Sequence, residues 1–208
     1  MSEPGHAAPR GHERIETSNL LMIVLVLAVV AVGGIVEIVP LFFQRSTTEP
    51  VPGLKPYTAL EQAGRDVYIR EGCYNCHSQM IRTLRSETLR YGHYSMAGEF
   101  VWDHPFQWGS KRTGPDLHRV GGKYSDEWHR LHFEAPRLLV PESNMPAYPW
   151  LARTPVDPTT ITAHLTGLRR VGVPYSDADI AGAAKAVEGK SELDALVAYM
   201  QSLGTAVK

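Results

Sequence analysis

The chain is poor in several features that would point to common protein classes. It holds two cysteines in 208 residues, too few for a disulfide framework. It has almost no net charge, with 21 Lys and Arg against 22 Asp and Glu. That balance leaves no footprint for nucleic acid and no acidic or basic tail. Alternating strand patterns are scarce, and no βαβ pattern appears. Helix and turn punctuation is plentiful instead, with 15 prolines and 18 glycines. The mixture predicts a mainly α, loop-rich protein of one ordinary domain with additions.

Charge is also missing from one long stretch. Leu20 to Val36 carries no ionisable side chain, and Glu37 is the one charge before Phe43. A run of ~20 helical residues at ~1.5 Å each spans ~30 Å, the thickness of a bilayer core. The run ends in Glu-Ile-Val-Pro-Leu-Phe-Phe-Gln-Arg (37–45). That ending offers no small-x-small cleavage site, so the segment reads as a retained transmembrane helix. The chain then divides into a polar tail (1–19), an anchor (20–43), a proline-rich linker (44–57) and a soluble domain (58–208). Glu37 has two readings, a headgroup contact or a functional contact with a partner helix. Arg10 and Arg14 balance Arg45 and Lys55, so charge does not orient the helix.

Both cysteines lie in Cys73-Tyr74-Asn75-Cys76-His77. C-x-x-C-H is the c-type haem attachment pattern: the thiols add across the haem vinyl groups and His77 becomes the proximal ligand. A zinc site would need about four ligands, and no second Cys/His pair supplies them. A redox dithiol would need a βαβ context. A disulfide across two residues would be strained. Covalent haem c is installed on the outer face of the bacterial inner membrane, which places the domain in the periplasm and the tail in the cytoplasm.

Helix signals frame this motif. Thr58-Ala-Leu-Glu61 is a capping box that opens a helix through Glu71, closed by Gly72. Ser191 caps a last helix with Leu193, Leu196, Val197, Met200 and Leu203 on its apolar face, ended by Gly204. Asp157-Pro158 and Ser176-x-x-Asp179 open two more, the second ending at Gly189, and Ser125 opens a short one. Met145, in Pro-Glu-Ser-Asn-Met-Pro (141–146), is the candidate sixth ligand, a soft thioether held extended by Pro146. A bis-histidine site using another histidine is the alternative. His118, His129 and His132 read as surface or packing residues. The segment of about 80–111 is rich in Arg, aromatics and Gly with little periodicity. It reads as a long loop insertion without secondary structure that docks on another subunit.

The capped helix before the haem motif and the apolar closing helix resemble those of class I cytochromes c, with Gly64, Tyr68 and Tyr199 at the crossing. Arg-Thr-Gly-Pro-Asp-Leu (112–117) resembles that family's Gly-Pro-x-Leu segment. The resemblance implies that the Pro115 carbonyl holds the far nitrogen of His77. An ordinary turn is the other reading.

Longer strings are more specific: Arg-Tyr-Gly-His-Tyr-Ser (90–95), Asp-His-Pro-Phe (103–106), Trp-Gly-Ser-Lys-Arg-Thr-Gly-Pro-Asp-Leu (108–117), Val-Gly-Gly-Lys-Tyr-Ser (120–125) and Ser-Asn-Met-Pro-Ala-Tyr (143–148). They resemble the mono-haem cytochrome c subunit (CcoO or FixO) of cbb-type haem–copper oxidases. The resemblance implies an electron-transfer subunit with no catalytic residue of its own, one covalent haem c on Cys73 and Cys76, and iron ligated by His77 and Met145. Its donor would be a di-haem cytochrome c subunit or a soluble cytochrome c, and its acceptor haem b of the catalytic haem b/copper subunit. It also implies a calcium ion at the subunit interface near Gly92, Tyr94 and Ser95; an interface loop without metal is the competing reading. Two other roles stay open at this point, the cytochrome c subunit of a nitric oxide reductase and a free-standing tethered carrier.

Overall fold

The computed structural model describes residues 11–109 and 111–207. Residues 1–10 of the tail, with Arg10, and Ser110 of the insert lie outside the described residues. The chain divides into two units, Met1–Thr48 and Glu49–Lys208.

The first unit is built on helix α1 (Asn19–Ile38), whose N-cap Ser18 accepts from the Leu21 N–H. Its apolar run continues as a 3-10 segment, Val39–Phe43, because Pro40 sits in the first turn where its missing N–H costs nothing. Asn19–Phe43 has a mean hydropathy of 2.9 and buries none of its side chains in the protein. Among the described residues it is the one helix long and apolar enough to cross a membrane. The helical turn Arg45–Thr48 ends this unit.

The second unit consists of helices joined by loops, and its described residues hold no strand beyond one isolated β-bridge between Pro155 and Ser191. Its main helices are α2 (Ala59–Arg70), α3 (Arg85–Tyr91), α4 (Asp126–Glu134), α5 (Pro158–Arg170), α6 (Asp177–Val187) and α7 (Glu192–Ser202). The caps fall where the sequence puts them. Thr58 and Glu61 make a reciprocal box on α2, as Ser176 and Asp179 do on α6 and Ser191 and Asp194 on α7. Asp157 caps α5 and Ser125 caps α4 through their side chains. Gly72 takes a left-handed φ of 71°, ending α2 with no Cβ to strain.

Helices α2 and α7 cross at backbone contact. A Cβ on Gly64 would lie 1.9 Å from the Ala195 carbonyl oxygen, so only glycine allows this approach. Tyr68 and Tyr199 meet edge-on there at 5.5 Å, and Tyr57 meets Tyr199 at the same distance. The Tyr199 hydroxyl pairs with the fully buried Gln79 amide at 3.0 Å, so the polar tip of the crossing is satisfied. One apolar cluster gathers Val67, Phe133, Leu151, Leu196 and Met200 about the crossing. A second joins Ala59 and Ala63 to Ile161, Leu165 and Val187, so α5 and α6 pad the outer side of α2. The result is the expected class: a single membrane-anchor helix and a cytochrome c-like helical domain.

The insert is more ordered than a loop. Residues 85–91 form α3, and Ala97–Glu99 a 3-10 turn. Ile81 and Phe100 anchor it in the core, but the one buried residue of α3 is Glu87, so no apolar stripe marks the helix and periodicity did not reveal it. Glu87 of α3 and Glu99 are both buried. Glu87 pairs with Arg82 and Arg112, and Glu99 with Arg119 and His118.

Candidate haem site

The haem motif begins where α2 stops. After the turn at Gly72, Cys73–Asn75 form a 3-10 turn, and the His77 N–H donates to the Cys73 carbonyl at 3.0 Å. Cys73 is half-buried and Cys76 exposed, and no disulfide joins them. Burial pushes the Cys73 thiol up to about 12. A reactive dithiol needs the opposite shift, so the redox reading of the pair fits this environment poorly.

His77 is held by the segment 112–117. Its Nδ1 lies 2.8 Å from the Pro115 carbonyl oxygen, and only a ring N–H can donate to that acceptor. Nε2 is thereby left with its lone pair, the form in which imidazole ligates a metal. Burial also lowers the His77 pKa, opposed by the Pro115 bond and by Asp116. Gly114 is required for this packing: a Cβ there would stand 2.2 Å from Cε1 of the imidazole.

In front of His77 opens a cavity of about 470 Å³. Cys73, Cys76, His77 and Pro115 line it on one side, and Met145 lines it as well. Met145 sits in a loop fixed by two local bonds. Its N–H donates to the Ser143 hydroxyl at 3.1 Å, and Arg137 donates to the Ser143 carbonyl at 3.1 Å. The cavity therefore brings together the four residues that the sequence nominates for haem attachment and ligation, with Pro115 behind them. Two thiols, an imidazole with a free Nε2 and a thioether around one largely apolar chamber fit a c-type haem.

Helix α4 supplies a wall that sequence reasoning missed. Trp128, His129, His132 and Phe133 all line the cavity, so His129 and His132 are not surface residues. Nε2 of His129 and Nδ1 of His132 are buried and find no hydrogen-bond partner among the described residues. Such orphaned polar atoms fit a chamber that receives a polar-edged group. Trp128 stacks between Tyr124 at 4.0 Å and His132 at 4.6 Å. The available signal was the spacing: 128, 129, 132 and 133 share one face of a helix. His118 is likewise buried, hydrogen-bonded to Ser95 and beside Glu99.

Two of the oxygens nominated for calcium, the Tyr94 carbonyl and the Ser95 hydroxyl, have partners within the chain. The Tyr94 carbonyl accepts from Arg119 at 3.1 Å and lies 2.7 Å from Nδ1 of His93. The Ser95 hydroxyl accepts from the Ile81 N–H at 2.8 Å and meets His118. A guanidinium against the same carbonyl opposes a dication there. No group of three or more His, Cys, Asp or Glu that could hold a metal gathers among the described residues.

A helical domain whose first and last helices cross beside a C-x-x-C-H cavity defines the cytochrome c class, here with a membrane anchor. The family described as cytochrome c oxidase, mono-heme subunit/FixO, matches residues 12–191. The chain belongs to that family, and is a mono-haem subunit of a cbb-type cytochrome c oxidase. No curated protein gives a significant match.

Proposed function

We propose that this subunit passes single electrons through one haem c bound covalently to Cys73 and Cys76, with His77 and Met145 as axial ligands. The observation that carries the reading is the cavity in which a histidine, oriented by Pro115, shares one chamber with both thiols and Met145. Bound haem c supplies a one-electron ferric/ferrous couple, raised in potential by His/Met ligation. The chain's own residues do the rest. Pro115 fixes the tautomer of His77 through Nδ1–H, and Gly114 leaves room for the ring beside it. Ser143 and Arg137 hold the loop that presents Met145. With His77 and Met145 both holding the iron, the bound haem would offer oxygen no open position, so this reading gives the subunit no catalytic role and assigns oxygen reduction to its partner.

The route we favour takes an electron from a di-haem cytochrome c subunit or a soluble cytochrome c and delivers it to haem b of the catalytic subunit. Helix α1 anchors the chain in the bacterial inner membrane, with the haem domain on the periplasmic side. A calcium ion would need oxygens from the catalytic subunit added to Gly92 and the Tyr94 phenol, since the Tyr94 carbonyl and the Ser95 hydroxyl are spent internally.

A pyridine haemochrome spectrum of the chain extracted from membranes in mild detergent tests this. Haem c with co-purifying haem b is expected, and a Cys73→Ser/Cys76→Ser variant should lose the covalent haem. A wild-type chain without covalent haem would overturn the proposal.

A further inference from the structure

We infer that Arg112 is a positioning residue that ties helix α3 of the insert to the segment holding His77, so that α3 helps set the orientation and donor strength of that ligand. The inference rests on the haem reading above and goes on to its control.

Two stretches of chain, 76–80 and 112–118, run together beneath His77. The Gly114 N–H donates to the Cys76 carbonyl at 2.9 Å, and the Leu117 N–H to the Ser78 carbonyl at 2.8 Å. Asp116, next to Pro115, has a side chain with no exposure. One of its oxygens accepts from the Ser78 hydroxyl at 2.6 Å and the Met80 N–H at 2.8 Å, the other from the His118 N–H at 2.9 Å. Arg112 closes the clamp. Its Nε donates to the Ser78 hydroxyl at 2.8 Å, and Nη2 donates to the Met80 carbonyl at 2.7 Å. That same Nη2 reaches Glu87 of α3 at 2.7 Å.

The geometry makes a chain of rigid links. Ser78 adjoins His77 and Asp116 adjoins Pro115; one planar guanidinium bonds Ser78, lies 3.5 Å from Asp116, which Ser78 holds, and grips α3. A lysine could not serve these acceptors together, because it lacks the fixed fork. On α3, Glu87 is 5 % exposed while Leu89 is 76 % exposed. The helix therefore grips the clamp with one side chain and offers an apolar one to a surface outside. Loosening the clamp lets the Pro115 carbonyl drift from Nδ1 of His77. A weaker bond there makes the imidazole a poorer donor and disfavours ferric iron.

The test uses the full chain in its complex with haem attached. Arg112→Lys keeps the charge, so a purely electrostatic role predicts no change. The inference predicts a higher midpoint potential, about a tenfold rise in the ferrous-to-ferric ratio at fixed poise, ~59 mV for one electron. The g-values of the low-spin ferric haem should move with it. Arg82→Lys, which alters the other cation on Glu87 without touching the clamp, should leave both unchanged. If Arg112→Lys does not mature, Ser78→Ala removes one hydroxyl of the clamp and should shift the potential the same way. An unchanged potential in Arg112→Lys or Ser78→Ala with haem c in place, or an equal shift in Arg82→Lys, would overturn the inference. A wild-type chain without haem c would instead overturn the haem reading beneath it.

Discussion

Gly64→Ala tests the physical core of the domain. The new Cβ would stand 1.9 Å from the Ala195 oxygen, 2.4 Å from its carbon and 2.8 Å from Tyr199 Cβ. Ordinary contact begins near 3.4 Å, so α2 and α7 must part by roughly 1.5 Å; two backbones cannot yield as a side-chain tip would. Three fully buried side chains, Tyr68, Leu196 and Tyr199, pack at this crossing. Each is worth ~2 kcal/mol of burial, and a gap of that size forfeits about half of their contacts, ~3 kcal/mol in all. Alanine returns ~1 kcal/mol through its helix propensity. The net loss is ~2 kcal/mol, which lowers the melting temperature by ~4–8 °C in a domain of this size. Thermal melts of the purified chain followed by helical circular dichroism measure it. Gly167→Ala on α5 is the control, since nothing lies within 4 Å of its added Cβ. It should stabilise by ~0.5–1 kcal/mol. A Gly64→Ala protein that melts at or above wild type would refute the argument for a backbone-contact crossing.

Two other outcomes follow from buried charge. Arg65 is 1 % exposed, donates to the carbonyls of His104 and Pro105, and stands 3.6 Å from the buried Asp103. Arg65→Met takes the guanidinium from that carboxylate, which keeps only the Tyr57 hydroxyl, and should cost ~3 kcal/mol, with part of the loss recovered in Arg65→Met/Asp103→Asn, as read by urea denaturation. Glu87 is held down to about 2 by its bond to Arg112, against burial, with Arg82 adding to it. A carboxylate whose folded pKa lies below its unfolded value binds fewer protons when folded. Its contribution is therefore full above about pH 4.5 and lost as the pH falls toward 2. Glu87→Gln should lower stability by ~2–3 kcal/mol at neutral pH and flatten the acid limb of a pH–stability curve; a limb as steep as wild type would count against the pairing.

Local sequence was enough wherever the physics is local. The anchor is a matter of twenty-odd consecutive apolar side chains. The ends of α2, α6 and α7 follow from a hydroxyl and a carboxylate three residues apart. The spacing of Cys73, Cys76 and His77 alone nominates them for haem attachment. Elements held by distant partners stayed hidden. Helix α3 has no apolar stripe, and its stability comes from Glu87 reaching Arg112 across the insert. His129 and His132 look like ordinary polar residues on a short helix until the fold turns that face into the haem chamber. Nothing in its neighbours marks Arg65, yet it is among the most buried side chains of the protein, because carbonyls nearly forty residues on come back to meet it.

The amino-acid sequence by itself thus determined the class of protein, the anchor, the attachment motif and its candidate ligands, since each is written in neighbouring residues. Only the tertiary structure decided which face of α4 meets the haem chamber and that Arg112 ties α3 to the segment beneath His77. These depend on atoms brought together from segments far apart in the chain, and no local pattern encodes such a distance.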